Sequence, residues 1–502
     1  MIEIYINKAQ FEYDIHSLIK AFFPSEEIKV NVEEQLLISN QEVGTGLISM
    51  VEDASQRNSQ NVFLLVFFED EKITVNMQEN DKFLAKTKEV DCSIEKAMLR
   101  NQLKQLLYSV LIEFTGKILP WGTLTGIRPT KIPMTLLDQG MEDKEILKYM
   151  KDTYLLHDEK ANLSLDIAKR EKEILSLVHY EDGYSLYIGI PFCPTTCLYC
   201  SFTSYPISSW KKKIDDYLKA LEKEMDYVSK AYSHKILDSI YIGGGTPTTL
   251  EAEELERLLC YITQHFSFRH VKEFTVEAGR ADSITFEKLM VLKKYGVTRI
   301  SVNPQTMKAE TLKIIGRQHT VEQVVEAFHL ARKAGFTNIN MDLILGLPGE
   351  TLDDVMMTVS EIKKLAPDSI TVHSLAVKRA SKLAKWIIEN GMESMNNTEE
   401  TMKIAANCAK EMGMNPYYLY RQKNMSGNFE NVGYATDGNY GLYNILIMEE
   451  KQTIVALGAG SISKLVLPEG RIERSDNVKD VALYIEKIVE MIERKKNLFL
   501  IQ

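Results

Sequence analysis

Three of the chain's six cysteines, Cys193, Cys197 and Cys200, fall within eight positions in a CxxxCxxC pattern. They follow directly on the apolar run Tyr184 to Ile190, which reads as a buried strand. Three thiolates on one short loop repel one another unless a metal neutralises them, and soft sulfur donors select iron-sulfur clusters, zinc or cuprous copper. A structural zinc closes its tetrahedron with a fourth protein ligand. None stands near, since His179 precedes the strand and the next cysteine is Cys260. A 4Fe-4S cluster ordinarily takes four thiolates, so three leave one iron open to a substrate or cofactor. Zinc and buried structural thiols are the competing readings, although structural thiols are rarely this dense outside secreted disulfide frameworks.

The elements around this loop form a regular series. Apolar strands at Tyr184–Ile190, Ser239–Ile242, Glu273–Glu277, Arg299–Val302, Asn338–Leu343 and Ser369–His373 alternate with amphipathic helices at Ile214–Ala231, Glu253–Gln264, Ser283–Tyr295, Val321–Ala334 and Asp353–Leu365. Six such repeats imply a parallel sheet, either a barrel or an open doubly wound form. Chemistry in both gathers at the C-terminal ends of the strands. Those ends carry Gly243-Gly244-Gly245-Thr246-Pro247, then Glu277, then Asn303-Pro304-Gln305, then Asp342 ahead of Gly346-Leu347-Pro348-Gly349. Glycines let a backbone approach a ligand closely, and their amides can hold a carboxylate. Any one polar strand end is equally consistent with an ordinary hydrogen bond, but burying several is costly unless ligands or partners satisfy them.

The CxxxCxxC loop, with Tyr199 just before its third cysteine, resembles the radical S-adenosylmethionine (SAM) enzymes, in which the open iron chelates SAM. IPFCPTTCLYC, GGGTP, Arg317 in Ile315-Gly316-Arg317-Gln318-His319, and MDLILGLPGET together resemble the oxygen-independent coproporphyrinogen III oxidase family, including its HemZ-type members. The resemblance is strong from residue 184 to about 380 and weaker from there to 502. It implies an α/β fold, a radical SAM partial (β/α)6 barrel over residues 181–385. Around it are expected a small α/β domain over 1–90, a helical linker over 91–180 and a C-terminal accessory domain over 386–502. Carried over, Cys193, Cys197 and Cys200 hold a 4Fe-4S cluster, while Tyr187, Tyr199, Gly244, Gly245, Thr246 and Glu277 line the SAM at the cluster. Gln305, Arg317, Asp342 and Ala376 match positions that contact a second SAM.

The resemblance also implies a reaction. One electron, from a reductant such as flavodoxin or ferredoxin, enters the cluster. SAM is then cleaved to a 5′-deoxyadenosyl radical, which takes hydrogen from a propionate of a tetrapyrrole, and loss of CO2 leaves a vinyl group. Two departures leave alternatives open. The oxidase type has a further cysteine where this chain has Phe202, an aromatic shared by relatives that handle haem. Yet the HNxxYW-like motif of those relatives survives only as Asn444 in Tyr443-Asn444-Ile445-Leu446-Ile447-Met448. A haem-binding carrier and a related radical SAM methyltransferase therefore stand beside the oxidative decarboxylase, which the retained second-SAM positions favour. Ala456-Leu457-Gly458-Ala459-Gly460-Ser461 resembles the family's glycine-rich segment and reads either as a tight turn or as part of the substrate cavity.

The remaining sequence sets bounds. At 502 residues, 45% hydrophobic and 26% charged, the chain has the composition of a globular protein with two or three domains. A net charge of -10 argues against non-specific nucleic-acid binding. The start lacks the basic flank of a signal peptide, and the apolar run Val62 to Phe68 is too short for a membrane span, so a cytoplasmic location is expected. Residues 1 to 90 suggest a strand at Ile2–Ile6, a helix near Tyr13–Ala21 and a hairpin of Asn61–Glu69 with Ile73–Met77. A helix follows, with Ser93 expected at its N-cap and Glu95 in its first turn. The loop from Pro120 to Lys131 reads as a turn between helices or as a surface for an anionic ligand. Cys92, Cys260 and Cys408 read as small core residues. His319, His329 and His373 are candidate ligands, His373 foremost because it ends the sixth strand. Tyr417, Tyr418 and Tyr420, with Arg421 and Lys423, suit either core packing or contact with a planar anionic substrate.

Overall fold

In strand β1 (Ile2–Ile6) every second residue is an isoleucine, and Ile2, Ile4 and Ile6 are all fully buried. This is the period-two signature of a strand with one covered face. The computed structural model describes residues 1–32, 62–69, 71–91, 93–126, 128–202, 204–377, 381–391, 395, 397–422 and 429–501. They divide into two compact units, Met1–Leu165 and Asp166–Gln502.

In the first unit β1 lies between β2 (Ile28–Val32) and β3 (Val62–Phe68), parallel to both. From β3 the sheet continues antiparallel through β4 (Lys72–Glu79) and β5 (Lys82–Glu89). The expected first strand, helix and hairpin are present, the helix as Glu12–Phe22; Asn61 lies outside the described residues. Strands β2 and β5 were not expected. β5 alternates lysines and a glutamate with small or apolar residues, so only pairing with β4 makes it a strand. Ser93 is not the N-cap of the following helix. That helix runs Lys96–Thr115 from Glu95, and Ser93 instead donates its amide and its hydroxyl to Asp91, at 2.8 and 2.5 Å. In the loop after it Trp121 is fully buried, and Thr123 N and His157 N fix the turn through Tyr154 O and Pro120 O at 2.8 and 3.0 Å. Ile127 and Cys92 lie outside the described residues.

The second unit is organised on one sheet. Strands β6 (Gly183–Ile190), β9 (Ile236–Gly244), β10 (Glu273–Glu277), β11 (Arg299–Ser301), β12 (Ile339–Leu345) and β13 (Ser369–Ser374) are parallel neighbours in that order. A two-residue pairing of β7 (Phe192–Cys193) with β8 (Tyr205–Pro206) closes the cysteine loop. The intervening helices, among them Ile214–Ala231, Ala252–His265 and Val321–Lys333, place one apolar stripe each on the outer face. Three of them begin in capping boxes, at Glu251, Thr320 and Thr351, and the two threonine hydroxyls accept the amides of Gln323 and Asp354.

Beyond β13 the same sheet gains β14 (Asn415–Tyr420) and β15 (Asn431–Ala435), both antiparallel additions. At its other edge β16 (Thr453–Leu457) lies parallel to β6 and leads into β17 (Ile462–Val466) and β18 (Ile472–Asp476). The chain must therefore cross from the β13 edge to the β6 edge between Ala435 and Thr453. It does so past the N-terminal ends of the central strands. Thr436 N donates to Asp368 O, Arg299 Nη1 to Asn439 O, and the amides of Leu442 and Tyr443 donate to the Glu273 carboxylate at 2.7 and 3.1 Å. The helix Leu442–Glu449 is thus capped on β10 and floors the sheet's concave side. The glycine-rich segment is a packed turn after β16: Gly458 N donates to Glu224 and Ala459 N to Tyr217 Oη, at 2.8 and 3.1 Å.

Candidate functional site

Along β9 to β13 the residues of one phase are polar although the strands are central. The register sets Tyr187 beside Tyr241, Tyr241 beside Thr275, Thr275 beside Arg299, and Ser301 beside both Glu277 and Asn340. Asp342 pairs with Thr371 and Ile344 with His373. The opposite phase, such as Ile339, Met341 and Leu343 on β12, is apolar and faces the helices. These polar residues line a cavity of about 490 Å³ that also reaches the cysteine loop. All the site residues expected from the sequence open onto it: Cys193, Cys197, Cys200, Tyr187, Tyr199, Gly244, Gly245, Thr246, Glu277, Gln305, Arg317, Asp342 and Ala376.

The cysteine loop is fixed by its backbone. Leu198 N donates to Ile315 O at 2.9 Å, Leu383 N to Leu198 O at 3.0 Å, and Thr195 Oγ1 to Gly316 O at 2.9 Å. Arg280, almost fully buried and held by Asp282 at 2.7 Å, reaches Thr195 Oγ1 at 3.0 Å and Cys197 Sγ at 3.7 Å. Burial pushes the Cys193 thiol up to about 11 and raises Cys200 as well. Buried thiols of this kind ionise when a metal takes the charge. Among the described residues no three Cys, His, Asp or Glu side chains converge as a single-ion site. The donor set, three thiols in CxxxCxxC spacing on one loop facing the cavity, fits a 4Fe-4S cluster with one iron left open.

The glycines serve the protein's own packing more than a ligand. Gly244 has φ +101°, and a Cβ on Gly245 would stand 2.5 Å from Phe192 O. The amides of Gly245 and Thr246 donate to Ile190 O and Phe192 O at 2.9 and 2.7 Å. The expectation that these amides hold a ligand carboxylate is therefore corrected for Gly245 and Thr246, whose amides are already committed. Glycine is required because β9 ends in direct backbone contact with the start of the cysteine loop.

Glu277 and Asp342 form an acidic pair with opposite titration. Burial raises Glu277 to about 7, the Asp342 charge adding to it and the Tyr241 hydroxyl bond opposing it. Burial also pushes Asp342 upward, but His373, Asn340 and Thr371 outweigh it and leave Asp342 below its ordinary value. Asn340 Nδ2 lies 2.7 Å from Asp342 Oδ1, and His373 Nε2 lies 3.8 Å from Oδ2. Gln305 adopts φ +68°, a left-handed conformation that costs a non-glycine residue about 1 kcal/mol. Its backbone is clamped between Asp342 O and Ile344 N, at 3.0 and 2.9 Å, while its buried Oε1 has no partner among the described residues. Arg317 donates to Asn303 O, yet its buried Nε also has none. Buried polar atoms left without a partner cost about 1–3 kcal/mol each. Strain and orphaned atoms together make Gln305 and Arg317 candidates for ligand contact.

The other candidates divide. His373, Tyr418 and Tyr420 line the cavity, with Tyr420 Oη 3.4 Å from His373 Nδ1. Tyr417 packs in the core beside Leu442 and Ile445. Arg421 is buried, and Lys423 lies outside the described residues. His319 is buried 3.8 Å from Asp282, and His329 is exposed on its helix. Cys408 is buried and Cys260 half-buried, both on helices away from the cavity. Phe202 stands 75% exposed at the mouth. Sequence reasoning missed Tyr241, Arg280, Arg299 and Tyr443. The rings of Tyr241 and Tyr443 stack at 4.4 Å, with Tyr187 about 6 Å from each. Period-two phase along β9 could have found Tyr241; nothing local marks Tyr443.

Residues 187–362 match the model of the radical SAM superfamily. The chain is 43% identical over 403 residues to the oxygen-independent coproporphyrinogen-III oxidase-like protein HemZ of Bacillus subtilis, covering 79% of this chain and 80% of that one. The chain belongs to this coproporphyrinogen oxidase-like family of radical SAM proteins. Members of the superfamily use a 4Fe-4S cluster and SAM. The heme chaperone HemW of the same bacterium is 40% identical over 195 residues, 39% of this chain and 51% of that one. The oxygen-independent coproporphyrinogen III oxidase of Salmonella typhimurium is 31% identical over 196 residues, 39% of this chain and 42% of that one. Among solved structures, coproporphyrinogen III oxidase (HemN) from Escherichia coli superposes with a TM-score of 0.50 at 22% identity, over 64% of this chain and 72% of that one. That likeness supports the fold: a partial barrel whose six central parallel strands are extended at one edge by β15 and β14 and at the other by β16, β17 and β18.

Proposed function

We propose that this protein is a radical SAM enzyme that oxidatively decarboxylates the propionates of a coproporphyrinogen-like tetrapyrrole. Cys193, Cys197 and Cys200 would hold the cluster, with Arg280 offsetting thiolate charge beside Cys197. The bound cluster and SAM supply a carbon radical that takes one hydrogen atom from the substrate. Tyr187, Tyr199, Gly244, Gly245, Thr246 and Glu277 would line the SAM next to the cluster. At neutral pH Glu277 is poised to hold or release a proton, so it can accept from an ammonium group without fixing a permanent charge in a buried site. Gln305, Arg317, Asp342 and Ala376 would contact a second SAM or the substrate.

The observation that carries this reading is the pair of orphaned atoms, Gln305 Oε1 and Arg317 Nε, in the cavity that holds the cysteines. Arg317 is suited to a carboxylate because its guanidinium fork binds two oxygens at once. Among the described residues no helix is long and apolar enough to cross a membrane. A one-electron donor such as flavodoxin or ferredoxin and a reducing, cytoplasmic setting belong to the same reading.

A haem carrier is the second reading, favoured by the higher identity to HemW than to the oxidase. The two separate under anaerobic assay. The enzyme, reduced and given SAM and coproporphyrinogen III, releases 5′-deoxyadenosine and a product lighter by two carboxyl groups, and Arg317→Ala suppresses product while sparing the cluster. Stoichiometric haem binding with substrate-independent SAM cleavage, indifferent to Arg317, would establish the carrier instead.

A further inference from the structure

The floor of the cavity is polar without internal reason. Thr275 and Ser301 are 3% and 6% exposed, both line the cavity, and neither hydroxyl has a hydrogen-bond partner among the described residues. Arg299 pairs in register with Thr275 and sits two residues before Ser301, so the three share one face. The residue is 3% exposed and opens onto the cavity, and among the described residues its guanidinium bonds through Nη1, to Asn338 Oδ1 at 2.7 Å and Asn439 O at 2.9 Å. It makes no ion pair within 4 Å among the described residues. The opposing charge is Glu273, whose oxygens accept the amides of Leu442 and Tyr443. A buried guanidinium with an uncommitted edge, next to two orphaned hydroxyls, costs stability unless a ligand completes it.

We propose that Arg299, Thr275 and Ser301 form a carboxylate-binding subsite that anchors a propionate-type arm of the ligand. Thr275 and Arg299 lie at the level of Tyr241 on β9, three residues before Gly244, or about 10 Å below the cysteine end at ~3.3 Å per residue, and Ser301, beside Glu277, lies two residues nearer that end. Arg317 marks the upper end of the cavity and Arg299 the lower, so a polyacid can be held at both. The guanidinium binds one or both carboxylate oxygens, and the hydroxyls donate to the remaining lone pairs. The ligand's identity rests on the tetrapyrrole reading; the subsite's existence does not.

The test uses the full-length, cluster-loaded protein without oxygen, with two probes. Coproporphyrin III and its tetramethyl ester are titrated in the same detergent, and sodium propionate is compared with chloride at matched ionic strength in thermal unfolding. Wild type should bind the acid at least about tenfold more tightly than the ester, and Arg299→Gln should remove about tenfold or more of the acid's affinity while leaving the ester's unchanged. Thr275→Val combined with Ser301→Ala, which leaves Arg299 and its asparagine contacts in place, should weaken the acid by a smaller factor without lowering the melting temperature. Propionate should stabilise wild type and not Arg299→Gln. Arg299-dependent stabilisation by propionate in a protein that binds no porphyrin keeps the subsite and removes the tetrapyrrole reading. Porphyrin and propionate responses that are both indifferent to Arg299 and to the hydroxyl pair overturn the subsite, whatever the tetrapyrrole result.

Discussion

A fully buried carboxylate of the second unit, Glu224, and a half-buried one, Glu277, are treated in opposite ways. Glu224, fully buried, accepts Gly458 N at 2.8 Å, Tyr484 Oη at 2.6 Å, Asn477 Nδ2 at 2.8 Å and Lys495 Nζ at 2.7 Å. Lys495, also fully buried, spends a further bond on Asn477 Oδ1 at 2.8 Å. Every charge in that knot is answered within the chain, and it ties the Ile214–Ala231 helix to the turn after β16 and to the C-terminal helices. Glu277 stands instead in a cavity whose Thr275, Ser301, Gln305 and Arg317 each keep an orphaned atom. A polar network closed on itself stabilises one fold, whereas one left open is complementary to something absent from the chain.

The comparison can be broken at several points, starting with the largest effect. Replacing Cys193, Cys197 or Cys200 by Ala should abolish the cluster's absorption and iron content in protein reconstituted anaerobically, with the fold retained by circular dichroism. Stoichiometric zinc without iron in oxygen-free preparations would break the open side of the comparison. Removing one partner of the closed knot, by Glu224→Ala or Lys495→Met, should cost about 3–5 kcal/mol in denaturant unfolding, because the other charge is left buried and unpaired. The double variant should lose less than the sum of the two single variants.

The acidic cavity should also show itself in pH. Burial raises the folded-state value of Glu277 to about 7, so the folded protein holds that proton where the unfolded chain has released it. Its contribution to stability is present below the unfolded value near 4.5 and is lost as pH rises toward about 7, at about 1.4 kcal/mol per pH unit between the two. Glu277→Gln should flatten that segment of the cluster-free protein's stability profile. An unchanged slope would show that Glu277 is as well paired as Glu224. Smallest of all, Cys408→Ala should cost about 1 kcal/mol for a small buried group, and with Cys260→Ser should leave the iron content untouched. Loss of iron without unfolding would reveal a fourth ligand.

What the sequence determined by itself was the series of strands, the loop that carries the cysteines and the residues at the strand ends. These follow from short-range rules: period two within strands, period 3.6 within helices, and thiol spacing that only a metal cluster makes sense of. Strand Glu273–Glu277 and helix Ile214–Ala231 were legible to the residue. Strand β5 was not, because this edge strand is made by its neighbour's backbone and carries little apolar pattern of its own, whereas β2 does alternate, as Ile28-Lys29-Val30-Asn31-Val32, and was missed. The role of the glycines changed as well, since only the close approach of β9 to Ile190 and Phe192 reveals that their amides are spent.

Tertiary structure alone decided the cavity's lower half. Leu442–Glu449 carries no signal as a floor; it becomes one because β15 and β16 occupy opposite edges of a single sheet and the chain between them must pass the ends of the central strands. The same crossing brings Tyr443 onto Tyr241, turns the surviving Asn444 toward the cavity and covers Arg299. Whether a buried polar group is paired depends on residues hundreds of positions away, as with Glu224 and Lys495, and no local pattern in the chain records such a distance.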